Sequence, residues 1–340
     1  MQNTKNIIGI TTTVPSEVLL AAGYTPLDLN NIFINHPDPG QLVRNAERAG
    51  FPLNTCAWIK GLYSVCMEYH INTVLCVTTG DCSNTSMLME VLKMRGVTTI
   101  PFAYPDYPNV DKMQTALEGL ADKLGTDLAA AEQIRLQLIN CRTTARELDR
   151  LTWEENRISG MENHYWLVSS SDFNQNAKQY HLDVQNLIAN AMQRRRYNTD
   201  ELRLAFIGVP PVYGKDLYPF LEQNGGRVVY NEIQHQFAML SDSATLAQQY
   251  SDYTYPYGID GRIHAIENEI ERRGIDGVIH YVQAFCHRAI GDIIFRNRLS
   301  LPILTIEGNT EFGLTQPLKT RLEAFIDMMA QIRLKSQAVN

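Results

Sequence analysis

The chain has 340 residues, 44% of them hydrophobic and 20% charged, a composition typical of a globular protein with enough material for two domain cores. Its net charge of −7 comes from interspersed acidic and basic residues, which excludes a broad positive surface for nucleic acid or an anionic membrane. No stretch approaches the roughly 20 apolar residues that span a bilayer, and residues 1–6 lead into a strand-like run without the apolar core of a secretion signal. We therefore expect a cytoplasmic protein with no nucleic-acid or membrane partner.

The amino-terminal part alternates strand and helix patterns. The apolar run at 7–10 predicts a short buried strand, and the segment 14–17 opens a helix that ends at Gly23. Further strands are predicted at 27–34, 73–78 and 97–102. Because such alternation is typical of a parallel sheet covered by helices, residues 1–110 are predicted to form a first α/β lobe.

The rest of the chain divides into a helical part and a second alternating part. Residues 111–200 follow a helical pattern rich in Ala, Leu, Gln, Arg and Glu, and are predicted to form a helical connector. Strand patterns return at 202–207 and 227–230, so residues 201–340 are predicted to form a second α/β lobe with a carboxyl-terminal helix. The predicted fold class is α/β, with two flavodoxin- or Rossmann-like parallel-sheet lobes joined by helices.

Two cysteines occupy matching places in the two lobes. The apolar run that begins at Ile71 leads after eleven positions to Cys82, and the run that begins at Ile275 leads after eleven positions to Cys286. This correspondence indicates an internal duplication. Each cysteine is therefore predicted to lie just past the carboxyl end of a parallel strand and next to a helix amino terminus, which is where open α/β sheets bind ligands.

Cys56 has the same predicted setting, because it precedes a helical run. Backbone amides at such positions stabilise the thiolate that binds metal, although a free cysteine is more commonly a small buried hydrophobe. Cys66, Cys76 and Cys141 are predicted to pack in cores. The sequence contains no CxxC pair, which argues against a zinc ribbon, a ferredoxin-type cluster or a thioredoxin-like site. Three distant cysteines suit a 4Fe–4S cluster with one open iron.

Other chemical motifs are few. His287 adjoins Cys286 and is a candidate for a fourth ligand or a proton carrier, whereas strand alternation predicts that His280 is a satisfied core residue. The sequence has no P-loop, GxGxxG fingerprint, GxSxG elbow or HExxH motif, so nucleotide hydrolysis and serine-hydrolase chemistry are not expected.

Four segments spread over nearly the whole chain resemble one known family, the subunits of 2-hydroxyacyl-CoA dehydratases and benzoyl-CoA reductases. The matching residues are Thr12-Thr13-Val14-Pro15-Ser16-Glu17 with Ala21-Ala22-Gly23 and Pro26; Asn54-Thr55-Cys56 with Lys60; Thr78-Thr79-Gly80-Asp81-Cys82; and Gln283-Ala284-Phe285-Cys286, continued by Pro302, Ile306-Glu307, Gln316, Thr320-Arg321 and Glu323-Ala324-Phe325. Related double-cubane proteins use further cysteines, which the second lobe lacks, so a second cluster is not expected.

The resemblance implies a 4Fe–4S cluster held by Cys56, Cys82 and Cys286, and an ATP-dependent activator protein that delivers single electrons at low potential. It implies anaerobic radical chemistry on an acyl-CoA or related substrate, as a lyase or a reductase. It also implies a homodimer, or a heterodimer with a homologous subunit. Glu307 and His287 are the candidate catalytic residues.

Two other functions fit the same residues. One is a non-catalytic electron-transfer or maturation protein that carries the cluster without an acyl pocket. The other is a cluster-free binding protein, since two lobes with a helical hinge also close around small molecules.

Overall fold

The structure is a computed structural model that describes residues 6–339, with side chains described through residue 335. Residues 1–5, on which the expected absence of a secretion signal partly depends, lie outside the described residues. Across the described part of the chain, no helix has the length and apolar character needed to span a membrane.

The first lobe is a sheet with helices on its faces. Its elements are β1 (Ile7–Ile10), α1 (Ser16–Ala21), β2 (Thr25–Asp28), α2 (Leu29–Asn35), α3 (Pro39–Arg48), α4 (Ala57–Glu68), β3 (Thr73–Thr79), α5 (Asn84–Met94) and β4 (Thr98–Ala103). The four strands are parallel in the order β2-β1-β3-β4. The order reverses direction between β1 and β3, which opens a crevice at the carboxyl ends of these strands.

Helices fill the centre of the chain. They are α6 (Val110–Leu124), α7 (Leu128–Trp153), α8 (Gly160–Val168) and α9 (Ala177–Gln193), with two short 3-10 turns between α8 and α9. The helical pattern of the sequence therefore predicted this part correctly.

The second lobe repeats the topology of the first. Its elements are β5 (Leu202–Gly208), α10 (Gly214–Gln223), β6 (Gly226–Asn231), α11 (Glu232–Ala238), α12 (Leu246–Asp252), α13 (Ile259–Arg273), β7 (Gly277–Gln283), α14 (Asp292–Arg298), β8 (Ile303–Gly308) and α15 (Gln316–Val339). The strands are parallel in the order β6-β5-β7-β8, so β7 is the counterpart of β3. The predicted fold class, two parallel-sheet α/β lobes, is confirmed.

The strand predicted over 27–34 is wrong, because the chain leaves the sheet after Asp28 and forms α2. The Asp28 carboxylate accepts the backbone N–H of Asn30, and this cap starts the helix. Leu29 and Phe33, four residues apart, are then buried on one face. Capping and the helical spacing of the apolar residues outweigh the strand-like composition of the segment.

The lobes share part of their hydrophobic core. Ile8 and Ile10 of β1 belong to the same buried cluster as Tyr250 and Tyr253, which lie at and just after α12 in the second lobe. Each lobe also has a core of its own, as the separate clusters around Leu42 and Leu204 indicate. The shared cluster holds the lobes together over apolar surface.

A buried carboxylate joins three parts of the chain. Glu17 of α1 is fully buried and accepts hydrogen bonds from Arg142 Nη2 at 2.6 Å, Gln249 Nε2 at 2.9 Å and Tyr250 OH at 2.7 Å. Burial raises the pKa of Glu17, but the Arg142 charge and the hydrogen bonds outweigh it, so that the pKa lies below its ordinary value. Glu17 thereby links the first lobe to the connector helix α7 and to α12 of the second lobe.

Replacing Glu17 with Gln should lower the free energy of unfolding by about 3–5 kcal/mol at pH 7, because Arg142 then keeps a buried charge without a counter-ion. The depressed pKa of Glu17 means that its stabilisation is present above pH 4.5 and is lost as the pH falls further. The difference between wild type and Glu17→Gln should therefore shrink below pH 4.5. Urea unfolding followed by circular dichroism at pH 7 and pH 4 measures both effects.

The matched control is Glu118→Gln, which changes an exposed carboxylate on α6 and should shift the unfolding free energy by less than about 0.5 kcal/mol. Equal stability of the two variants would contradict the role assigned to Glu17.

Candidate functional site

A cavity of about 120 Å³ lies where the carboxyl ends of the two sheets face each other. Its apolar walls come from both lobes and from the connector, and include Ile34, Ile59, Leu62, Val168 and Phe237. Cys56, Cys82 and Cys286 all line it, although they are as far as 230 positions apart in the chain. The two sheets thus bring the three cysteines singled out from the sequence to one place.

The local settings of the three cysteines are alike. Cys56 is the residue before α4, Cys82 lies between β3 and α5, and Cys286 lies between β7 and a 3-10 turn that leads into α14. In each case the backbone N–H of the residue two positions later, namely Trp58, Asn84 or Arg288, favours the thiolate form. This arrangement stabilises negative charge on all three sulfurs.

Burial nevertheless keeps the three groups as thiols in the absence of a cation. It raises the pKa of Cys56 to about 11 and that of Cys82 to about 12, and it also raises the pKa of Cys286. A bound metal reverses this balance, because its positive charge deprotonates a coordinating thiol. The sulfurs are therefore poised to become thiolates only when a cationic group occupies the cavity.

Three hydrogen bonds between the lobes hold the cysteine loops in place. Trp58 Nε1 donates to Gln283 Oε1 at 3.1 Å. Tyr255 OH donates to Asp81 Oδ1 at 2.9 Å, and Arg288 Nη2 donates to the carbonyl oxygen of Gly80 at 3.1 Å. Each bond involves a residue that adjoins a cysteine or lies within three positions of one, so the spacing of the cysteines depends on the docking of the lobes.

Gly80 allows the Cys82 loop to pass through a narrow gap. Its φ of +98° favours glycine, and a Cβ at this position would lie 2.8 Å from Tyr104 and 2.9 Å from Pro256. Any side chain here would push the first-lobe loop away from the second lobe.

Within the described part of the chain, no three His, Cys, Asp or Glu side chains lie close enough to hold a metal ion.

The remaining predicted residues fall in different places. His287 lines the cavity, and partial burial together with the Arg288 charge lowers its pKa. Glu307, at the end of β8, is exposed and is not among the residues that line the cavity. His280 is buried and bonded through Nδ1 to Asp292 at 2.6 Å, which confirms it as a satisfied core residue. Cys66, Cys76 and Cys141 are buried in cores, as predicted.

Sequence reasoning missed several residues that line the cavity. Asp81 and Gln283 stand inside the motifs around the cysteines, and that position was an available signal. Tyr255 and Arg288 form a cation–π pair at 4.2 Å over the cavity wall, and His164 reaches the cavity from the connector. Nothing in the sequence marks His164, because only the fold brings α8 to this site.

Comparison with known proteins gives one match over nearly the whole chain. The family model described as 2-hydroxyglutaryl-CoA dehydratase, D-component, matches residues 11–329. No curated protein matches the chain. One solved structure that matches is titled "Periplasmic heme-binding protein BhuT in complex with two hemes (holo-2 form)". It is 12% identical, with 96% of this chain and 98% of that chain covered and a TM-score of 0.23, too low to support any inference.

Two buried carboxyl groups meet at one wall of the cavity. Asp28 lines the cavity, and its backbone N–H donates to Asp172 Oδ2 at 2.8 Å. Asp28 Oδ2 in turn accepts from Ser171 Oγ at 2.6 Å. Burial and the nearby Asp28 charge raise the pKa of Asp172 to about 7, and burial raises the pKa of Asp28. At least one of the two carboxyl groups therefore stays protonated at a pH well above the ordinary pKa of a carboxyl group.

Asp28→Asn should reduce the pH dependence of stability. The native wild type holds a proton that the unfolded chain releases above pH 3.8, so its stability falls as the pH rises from 3.8 to about 7. The introduced amide can still cap Asn30 and can donate to Ser171 Oγ, but the substitution removes one of the two charges. The loss of unfolding free energy between pH 5 and pH 8 should be about 1–2 kcal/mol smaller than in wild type.

Urea unfolding at the two pH values measures this difference. Asp122→Asn, which changes an exposed carboxylate on α6, is the control and should retain the wild-type pH dependence. An unchanged pH dependence in Asp28→Asn would show that the two carboxyl groups do not share a proton.

Proposed function

This chain belongs to the 2-hydroxyglutaryl-CoA dehydratase D-component family, and we propose that Cys56, Cys82 and Cys286 hold a 4Fe–4S cluster for one-electron reductive chemistry on a thioester. Family membership makes the chain a dehydratase-type subunit. The proposal adds the cluster, its ligands, the electron chemistry and an acyl-CoA or related substrate.

The observation that carries the proposal is the common environment of the three sulfurs. All three line one cavity, and in each case the backbone N–H of the residue two positions later favours the thiolate form. Soft thiolate ligands select zinc, copper(I) and iron–sulfur groups. Three thiolates from the protein fit an iron–sulfur cluster, which is the group that the family resemblance implies.

When bound, the cluster supplies single electrons at low potential and one open iron position. The chain's own residues have complementary tasks in this proposal. The apolar walls exclude water, which strengthens every charge interaction inside the cavity. The guanidinium of Arg288, fixed over the Tyr255 ring, stabilises negative charge that develops on a substrate oxygen.

His287 is the proposed proton carrier, because it lines the cavity next to Cys286 and its lowered pKa keeps it neutral near pH 7. For Glu307 we propose only an indirect role, since its side chain is exposed. Its backbone carbonyl accepts from Tyr213 OH at 3.0 Å, and Tyr213 packs edge-on against Tyr281 of β7. Glu307 thus contacts the structure that supports the second-lobe cysteine loop.

The proposed partners come from the family resemblance. It implies an ATP-dependent activator protein that supplies the electrons, and a working enzyme that is a homodimer or a heterodimer with a homologous subunit. A cluster held by three thiolates is expected in a reducing, cytoplasmic and anaerobic setting.

The test is anaerobic purification of wild type, Cys82→Ser and Cys141→Ser, followed by assays of iron, sulfide and visible absorption. Cys82→Ser should lose most of the iron, because it removes one of three ligands. Cys141→Ser is the matched control: Cys141 Sγ donates to the carbonyl oxygen of Ala177 at 3.3 Å, a bond that a serine hydroxyl can also make. It should retain the wild-type iron content.

Turnover is then tested with an activator-type ATPase, ATP, a reductant and a panel of 2-hydroxyacyl and aryl thioesters. Wild type without iron, or with equal iron in all three proteins, would contradict the cluster assignment. A loaded wild type that turns over none of the thioesters would favour an electron carrier over an enzyme.

A further inference from the structure

The buried side-chain amide of Gln283 uses its oxygen, but not its nitrogen, in hydrogen bonds. Gln283 is 2% exposed and lines the cavity, yet its Nε2 has no hydrogen-bond partner. Asn31 Nδ2 and Arg288 Nε also lack partners there, but they belong to partly exposed side chains. A buried donor without an acceptor costs free energy, so an unpaired donor at a binding cavity indicates an acceptor on the bound group.

Two donors fix the orientation of this amide. Trp58 Nε1 donates to Gln283 Oε1 at 3.1 Å, and Tyr281 OH donates to the same oxygen at 2.7 Å. The indole nitrogen can only donate, so the atom that faces it must be the amide oxygen. Both N–H groups of Nε2 are consequently left for another partner.

Gln283 is also connected to two of the three cysteines. Its backbone carbonyl accepts the N–H of Cys286 at 3.1 Å. Its side chain is held by Trp58, which lies two positions after Cys56 and whose backbone N–H favours the thiolate form of that cysteine. The free end of the amide is therefore fixed beside the place where these cysteines would hold a common group.

We propose that Gln283 Nε2 donates a hydrogen bond to a sulfur atom of the group that the three cysteines hold, and thereby raises its reduction potential. The inference rests on the proposed function, because it requires an iron–sulfur cluster in the cavity. A hydrogen bond from an N–H donor stabilises the reduced cluster, because the reduced cluster carries more negative charge. Hydrogen bonds to the sulfur atoms are among the factors that set the reduction potentials of iron–sulfur clusters. Gln283 is thus a positioning and tuning residue.

The test compares wild type, Gln283→Glu and Gln137→Glu in redox titrations of the anaerobically reconstituted proteins followed by EPR. Glutamate at position 283 keeps an oxygen for Trp58 and Tyr281 but replaces the donating NH₂ with an acceptor. The midpoint potential of Gln283→Glu should shift to a more negative value. Gln137→Glu makes the same chemical change on an exposed face of α7, away from the cavity, and it should titrate at the wild-type potential.

A second measurement does not depend on any variant. Gln283 is the one glutamine among the described residues that line the cavity. Wild type made by cell-free synthesis with glutamine labelled with ¹⁵N at the side-chain amide should show a weak ¹⁵N coupling to the reduced cluster in pulsed EPR. This measurement decides the question even if Gln283→Glu fails to bind iron.

The outcomes separate this inference from the proposed function. If wild type binds no cluster, the proposed function fails first. If wild type binds a cluster but shows no ¹⁵N coupling, and Gln283→Glu titrates at the wild-type potential, the hydrogen bond to sulfur is wrong and the cluster assignment stands. A ¹⁵N coupling in wild type, with or without loading of Gln283→Glu, supports the inference.

Discussion

The buried carboxylate of Glu17 is the contact on which the arrangement of the lobes depends. It accepts hydrogen bonds from α7 of the connector and α12 of the second lobe, and its ion pair with Arg142 is buried. A buried charge is tolerated only with its partners in place, so this contact allows one relative position of the three parts. The cavity needs that single position, since two of its cysteines come from one lobe and the third from the other.

The site combines an internal symmetry with one departure from it. Cys82 and Cys286 follow equivalent strands, β3 and β7, in sheets with the same strand order. Cys56 has no counterpart in the second lobe, where the comparable stretch contains Tyr255. The Tyr255 hydroxyl donates to Asp81, which adjoins Cys82. The second lobe therefore supports the first-lobe loop at the position where the internal symmetry alone would predict a fourth cysteine. Under the proposed function, a group held there would have three protein ligands and one open position.

The sequence predicted most of the strands and the convergence of the cysteines, because strand periodicity and the duplicated spacing are local signals. The segment 27–34 failed because the capping side chain of Asp28 is a single-residue effect that composition does not reveal. The bond between Trp58 and Gln283 joins residues 225 positions apart, and the Asp28–Asp172 contact spans 144. Such pairs follow from how the lobes dock, which no pattern within one segment encodes. The family resemblance, by contrast, was visible in the sequence and agrees with the matched family model.

The enclosure of Cys56 has a consequence for biogenesis. Cys56 is only 5% exposed, whereas Cys82 and Cys286 are partly accessible, and three hydrogen bonds between the lobes close the cavity over it. Any group that binds all three sulfurs must therefore reach Cys56 between the two lobes. If the proposed cluster is present, its loading is tied to the docking of the lobes.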